Sequence, residues 1–495
     1  MFLPDLVIRS QRVIVGEGSR PAALHVRRGK IIGVLEFDDV PPGCPLDDAG
    51  DRIVMPGLVD TQVHIGQDFE TVTRAAAAGG VTTVIDTPLE SESSATDVRA
   101  LEEQTRAAAG RCFVDVGFWG GVVPGNTADL PSLAEAGVYG FACSLAPSQV
   151  GTCPSVSEAD LRAAMPVISH FGRPLLVHAE FTGAAGVPAP GPRSALGRIL
   201  ARARAARSGR RYDTYLTSKP KDDENRAVAL LIQLCREYHT RTHIVQLSSS
   251  DALTPIFQAR SAGLSLSAGT CPHYLHFVAE EIPDGATEFM CAPPIRGREN
   301  RELLWAALAG GLVQMIASDH WPLPAPAGST SANFLAARAG IFSLPFSLSA
   351  MWTGACARQH SAVRLANWMC RAPARLAGLD RKGAIEVGND ADLAIWDPDA
   401  ELTVNGASTI AESPQTHSSG GGKVDRRRPA TPYANWRLRG VVERTYLGGA
   451  CVYERGMPMP SPRGRLLARQ RASADAGTAT VRSSAARPLV LFRKA

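Results

Sequence analysis

Val59-Asp60-Thr61-Gln62-Val63-His64, preceded by Met55-Pro56-Gly57, closes the first of eight apolar runs in the middle of the chain. Side chains alternate along an extended strand, so Gln62 and His64 share one face. The other runs are Val81–Ile85, Val114–Phe118, Tyr139–Phe141, Leu175–His178, His243–Leu247, Leu264–Ser267 and Met315–Ala317. Stretches of helical composition separate several of them: Glu70–Ala78, Asp97–Ala109, Leu161–His170 and Glu224–Tyr238. Strand and helix alternating in this way indicate parallel βα units. Eight such units predict a TIM-type (β/α)8 barrel over residues 56–380, with its chemistry at the C-terminal ends of the strands.

Outward from the barrel, both ends of the chain read as β structure. Short apolar runs bounded by turn residues fill residues 1–55, and Asp390–Trp396 and a hairpin across Gly448-Gly449 mark a second β segment. Residues 1–55 and 381–460 are therefore expected to form one composite β-sandwich. Residues 461–495, rich in Ala, Ser, Gly and Arg, have the composition of a mobile tail, and Pro414–Pro432, with its Arg426–Arg428 run, reads as a solvated loop.

The net charge of the 495-residue chain is +4, but the tail alone carries +7 and the rest −3. That balance gives no reason to expect a nucleic-acid partner. Ten scattered cysteines without a C-x-x-C pair suit a reducing compartment, and the N-terminus lacks the basic and apolar regions of a signal peptide. A cytoplasmic location is expected. The uncharged run Ala339–Ala357 contains Pro345 and several Ser and Gly, which suits a buried helix better than a membrane span.

At the strand ends, five polar residues converge on one face of the expected barrel: Gln62, His64, His178, Gln246 and Asp319. The motifs around them resemble the cyclic amidohydrolases, the family of allantoinase, hydantoinase and dihydroorotase, with allantoinase closest in pattern. The resemblance is carried by Val54–Asp60, Glu70–Ala77, Gly79–Thr83, Cys271-Pro272-His273-Tyr274-Leu275, Ala292-Pro293-Pro294-Ile295-Arg296, Lys382–Ile385 and Gly388–Leu393, in the family's order. It implies a barrel with an attached β domain, a cyclic amide or ureide substrate, and a homodimer or homotetramer. It also implies two divalent metals, held by an H-x-H pair, a carbamylated lysine, two further histidines and an aspartate.

Carried over residue by residue, those ligands fall on Gln62, His64, Ala142, His178, Gln246 and Asp319. Ala142 has no amine to carbamylate, and an amide oxygen binds zinc poorly compared with imidazole. A binuclear centre is therefore not expected. His64, His178 and Asp319 remain as catalytic residues and as the ligands of at most one zinc-like metal. Gln62, Gln246, Ala142 and His320 are expected to face substrate. Arg296 either contacts an anionic substrate or braces its loop. His243 is expected below the site, and His273 and Tyr274 either behind it or in simple packing. Three readings stay open: a single metal, metal-free acid–base chemistry, and a non-catalytic homologue that serves as a binding or assembly partner.

Overall fold

The computed structural model describes residues 3–88, 94–147, 154–182, 208–321, 332–405 and 430–469. The Arg426–Arg428 run and the tail beyond residue 469 lie outside them. Five strands open the chain: β1 (Leu6–Val15), β2 (Gly18–Arg27), β3 (Lys30–Leu35), β4 (Leu46–Asp48) and β5 (Ile53–Pro56). Only Gly57 separates β5 from the barrel, because a Cβ there would overlap the Thr82 side chain.

The barrel strands are β6 (Leu58–Val63), β7 (Val81–Asp86), β8 (Asp115–Phe118), β9 (Gly120–Gly121), β10 (Phe141–Ser144), β11 (Leu175–His178), β12 (Thr242–Val245), β13 (Leu266–Thr270) and β14 (Met315–Ile316). β8 and β9 are two halves of the third barrel strand, broken at Trp119. Trp119 N–H reaches Asp86 O at 3.1 Å, and Gly120 N–H then turns to Gly140 O at 2.9 Å. Parallel pairing runs through β6-β7-β8 and β9 to β14, and a parallel bridge between Val63 and His320 closes the ring. β6, β7, β8, β10, β11 and β12 are buried along their whole length, as expected of a parallel sheet covered on both faces.

A helix follows each barrel unit: Phe69–Ala78, Val98–Ala108, Leu130–Ala136, Glu158–His170, Lys221–Tyr238, Leu253–Ser261, Arg298–Ala309 and Ser347–Ala357. The last occupies the back half of the uncharged run and is mostly buried. Among the described residues, no helix is long and apolar enough to cross a membrane. The seventh strand begins two residues later than its apolar run suggests. Gly263 turns at φ +82°, and Leu264 N–H caps the preceding helix at Ala259 O, 3.1 Å away.

β15 (Leu393–Thr403), β16 (Arg437–Leu447) and β17 (Ala450–Glu454) return to the N-terminal strands. Together they make one eight-stranded sheet, ordered β17-β16-β15-β5-β1-β2-β3 with β4 on β1. Gly448 and Gly449, with φ of 53° and 73°, supply the two left-handed positions of the β16–β17 turn.

One expectation is corrected here. Part of the tail is docked, not mobile. Gly464 N–H bonds Cys112 O at 2.8 Å, Val116 N–H bonds Arg465 O at 2.9 Å, and Leu467 N–H bonds Val116 O at 2.7 Å. The reason is charge. Asp115 is fully buried at the start of β8, where Lys382 Nζ and Arg465 Nη2 each reach its Oδ2 at 2.8 Å. Lys382 also pairs with Asp392, which follows the start of the second β segment, so one ionic cluster joins barrel, sheet and tail. Truncation after Arg463 removes both the backbone bonds and Arg465. It is expected to cost about 2 kcal/mol and lower the melting temperature by several degrees. A circular-dichroism melt superimposable on that of the full chain would contradict the docking.

Candidate active site

Gln62, His64, His178, Gln246 and Asp319 line one cavity at the C-terminal ends of the barrel strands, together with Thr87, Ser144, Cys291, Ala292 and Trp321. Gln62 and His64 come from the end of β6, His178 ends β11, and Gln246 and Asp319 follow β12 and β14. Gln246 and Asp319 both adopt left-handed backbone, with φ of 55° and 52°. Such conformations cost non-glycine residues on the order of 1–3 kcal/mol and persist where the surroundings impose them. Here the turn brings both side chains together over the barrel mouth.

The Gln246 carboxamide spans the gap between His178 and Asp319. Its Nε2 donates to Asp319 Oδ1, and its Oε1 lies 2.5 Å from His178 Nδ1, so that ring nitrogen carries the proton. His64 Nε2 is 3.5 Å from the same Asp319 Oδ1, and the His64 ring lies tilted by 33° against Trp321, with ring centres 5.3 Å apart. Burial alone would raise the Asp319 pKa. His64 and Gln246 outweigh it and hold the carboxyl below its ordinary value, so Asp319 is a carboxylate at neutral pH.

Three of the expected substrate-facing residues lie off the cavity wall. Ala142 is fully buried in an apolar cluster with Val59, Ile85, Trp119, Leu176 and Val245, one inward-facing layer below Ser144. Ser144, two residues on, is the one that reaches the cavity. His320 is fully buried, and its Nδ1 accepts backbone N–H bonds from Ser343 and Leu344 at 3.1 Å each. Arg296 braces its loop: Nη1 donates to Lys219 O at 2.6 Å and Nη2 lies 3.7 Å from Glu224 Oε2. His243 lies on β12, as expected, with its Nδ1 at 2.7 Å from Ser267 Oγ.

The sequence reading did not single out the carboxylates behind the site. Glu180 lies 3.7 Å from His178 Nε2 and accepts from Lys219 Nζ at 2.8 Å. Asp60 accepts from Gln62 N at 3.1 Å and Ser318 N at 3.0 Å, and Asp86 accepts from Ile65 N at 2.9 Å. The alternation that selected Gln62 and His64 also selects Asp60, and the step from His178 to Glu180 is likewise two residues.

The residues that fall on the family's metal positions by resemblance differ in donor type from the set the resemblance implies. Gln62 and Gln246 offer amides, and Ala142 offers no ligand atom. Nor is the trio His64, His178 and Asp319 compact. Two groups of three His, Cys, Asp or Glu donors lie within 4.8 Å of one another among the described residues, and the trio is neither of them. The physical reason is Gln246, whose carboxamide stands between His178 and Asp319.

Residues 53–452 match the family model described as the amidohydrolase family. The chain belongs to the amidohydrolase family. An allantoinase of Streptomyces avermitilis is 42% identical over 94% of this chain and 99% of its own length. An allantoinase of Arabidopsis thaliana is 34% identical over 91% and 88%. Among solved structures, the L-hydantoinase (dihydropyrimidinase) of Arthrobacter aurescens aligns with a TM-score of 0.79 and 28% identity, covering 95% of this chain and all of that one. A D-hydantoinase reaches the same TM-score at 22% identity, which supports the fold alone. This amidohydrolase therefore keeps the family scaffold over nearly its whole length, while Gln62, Ala142 and Gln246 stand at three of the six ligand positions assigned by resemblance.

Burial raises the pKa of Asp60 to about 6 and those of Asp86 and Glu224 to about 7. In each case the folded value exceeds the unfolded one. The native state therefore binds the extra proton between them, and the contribution of these three groups to stability falls as pH rises from about 4 to about 7. Asp86→Asn keeps an acceptor for Ile65 N–H and removes the ionisation. Its melting temperature relative to the parent is expected to improve between about pH 5 and about pH 8. A difference independent of pH would count against a strained Asp86 carboxylate.

Proposed function

We propose that this amidohydrolase breaks or forms a C–N bond of a cyclic amide or ureide of the allantoin type, with Asp319 as the proton-transfer group. Similarity to proteins named allantoinase over almost the full chain supports the substrate class. The observation that carries the reading is the placement of Asp319: an ionised carboxylate on the cavity wall, held between His64 and Gln246.

In the ring-opening direction, a water oxygen bonds to the ring carbonyl carbon as the water proton passes to Asp319. The Gln62 amide and His64 face the same cavity and supply hydrogen bonds to the oxygen that gains charge. The C–N bond then breaks, and the proton on Asp319 passes to the leaving nitrogen. One water is consumed and Asp319 returns to its starting state. Ring closure uses the same transition state in reverse. No step is routed through the binuclear centre, because the donor set does not fit one.

A second reading, a non-catalytic homologue that binds a ring or a partner, is favoured by one observation. Gln62, Ala142 and Gln246 replace ligands, and the remaining polar groups bond to one another. The two readings part on Asp319→Asn. Under the enzymatic reading it lowers turnover of a cyclic ureide by roughly 100- to 10,000-fold while the ring still binds. Product formation followed by NMR, in both directions, measures this. If the unmodified protein converts no cyclic amide and closes no linear ureide, the enzymatic reading fails and the binding reading stands.

A further inference from the structure

Asp319 also belongs to a second set of donors. Cys271 follows directly on β13, and His273 lies two residues later in the short helix Pro272–His276. One ligand atom each from Cys271, His273 and Asp319 lies within 4.8 Å of the other two. Three atoms so placed have a common point no farther than about 2.8 Å from each. Zinc-type bonds of about 2.0–2.3 Å then need a contraction of only about half an ångström. Cys271 and His273 are fully buried, and the Cys271 thiol is free.

A second observation points to a ligand. Both ring nitrogens of His273 are buried without a hydrogen-bond partner. A neutral imidazole always carries one N–H, so the ring leaves at least one buried donor and one buried acceptor unmet, each costing about 1–3 kcal/mol. The contacts of Asp319 to Gln246 and His64 both fall on Oδ1, so neither of them engages Oδ2.

The geometry points to a mononuclear site for a zinc-type divalent cation, held by the Cys271 thiolate, a His273 ring nitrogen and the Asp319 carboxylate; it shares Asp319 with the positions that bind metal by family resemblance and takes its other two ligands from the end of β13. Binding releases the thiol proton, and the cation takes up the otherwise unmet lone pair of the buried imidazole. The assignment does not depend on the reaction proposed for the cavity.

The test uses the full chain, stripped with a chelator and titrated with Co²⁺. One equivalent is expected to bind and to give a near-ultraviolet thiolate-to-cobalt charge-transfer band. Cys271→Ser removes the band and weakens binding by roughly 100-fold or more, His273→Gln weakens it similarly, and Cys356→Ser, at a free thiol outside the cluster, leaves both unchanged. The wild-type spectrum and His273→Gln decide the matter if Cys271→Ser does not fold. Failure to bind one equivalent, binding without a thiolate band, or loss of binding in Cys356→Ser with retention in Cys271→Ser would each overturn the site.

Discussion

Asp60 is buried at the seam where the barrel closes, and its carboxylate accepts from the backbone N–H of Gln62 on one side and of Ser318 on the other, at 3.1 and 3.0 Å. β14 is only two residues long, so its own ladder contributes little to closure. Strand ends carry unpaired N–H groups that must find acceptors once buried. Asp60 provides one for two strands at once. With the Val63–His320 bridge and the 2.9 Å bond from His64 N to His320 O, it fixes β6 against the residues after β14. That juxtaposition sets the 3.5 Å approach of His64 to Asp319, on which the arrangement of the site rests. The carboxylate is held there against its own desolvation, which is why its pKa rises to about 6.

Two further sets of buried charges bracket the barrel. Above, Glu180 pairs with Lys219, whose carbonyl accepts from Arg296, and Arg296 faces Glu224. Glu224 in turn accepts the backbone N–H groups of Ser248 and Ser249, just beyond Gln246. The loops after β11, β12 and β13 are thus tied to one another behind the cavity. Below, Lys382 and Arg465 converge on Asp115. Buried ion pairs add little net stability against apolar replacements but are costly to break singly. Their effect is to fix which loop sits where, a requirement more stringent at the mouth of an active site than in its apolar core.

The barrel was legible because its period is long and its strands are uninterrupted apolar runs. Gln62 and His64 were legible because alternation along a strand is rigid, and His178, Gln246 and Asp319 because each stands at the end of an apolar run. The failures have equally specific causes. Ala142 was assigned to the cavity by correspondence with a lysine, yet a long side chain reaches a layer that a methyl group cannot. His320 follows Asp319 immediately, and on leaving β14 its imidazole turns inward to cap the Ser343 and Leu344 amides instead of facing the mouth. The docked stretch Gly464–Arg469 has the composition of a tail, and only the buried, otherwise under-neutralised Asp115 explains its order. A long-range charge match of this kind leaves no periodic trace in sequence.

Gln246 shows how the residues that fall on the family's ligand positions by resemblance fit together. An imidazole between His178 and Asp319 can present only one donor when neutral, and it suits a cation that attracts both neighbours. Without such a cation, a carboxylate and a protonated ring nitrogen remain that must be joined by something offering an acceptor and a donor at fixed separation. A carboxamide does this, with Oε1 toward His178 and Nε2 toward Asp319. Leaving either group unpaired in a buried site would cost about 1–3 kcal/mol, and more for the charged one. The Gln246 carboxamide is therefore paired on both sides, and one layer down Ala142 lies in apolar packing, where an amine without a partner would be an unpaired buried charge. Gln246 and Ala142 thus suit one another: the polar layer pairs within itself, the layer beneath it is apolar, and Asp319 keeps its charge.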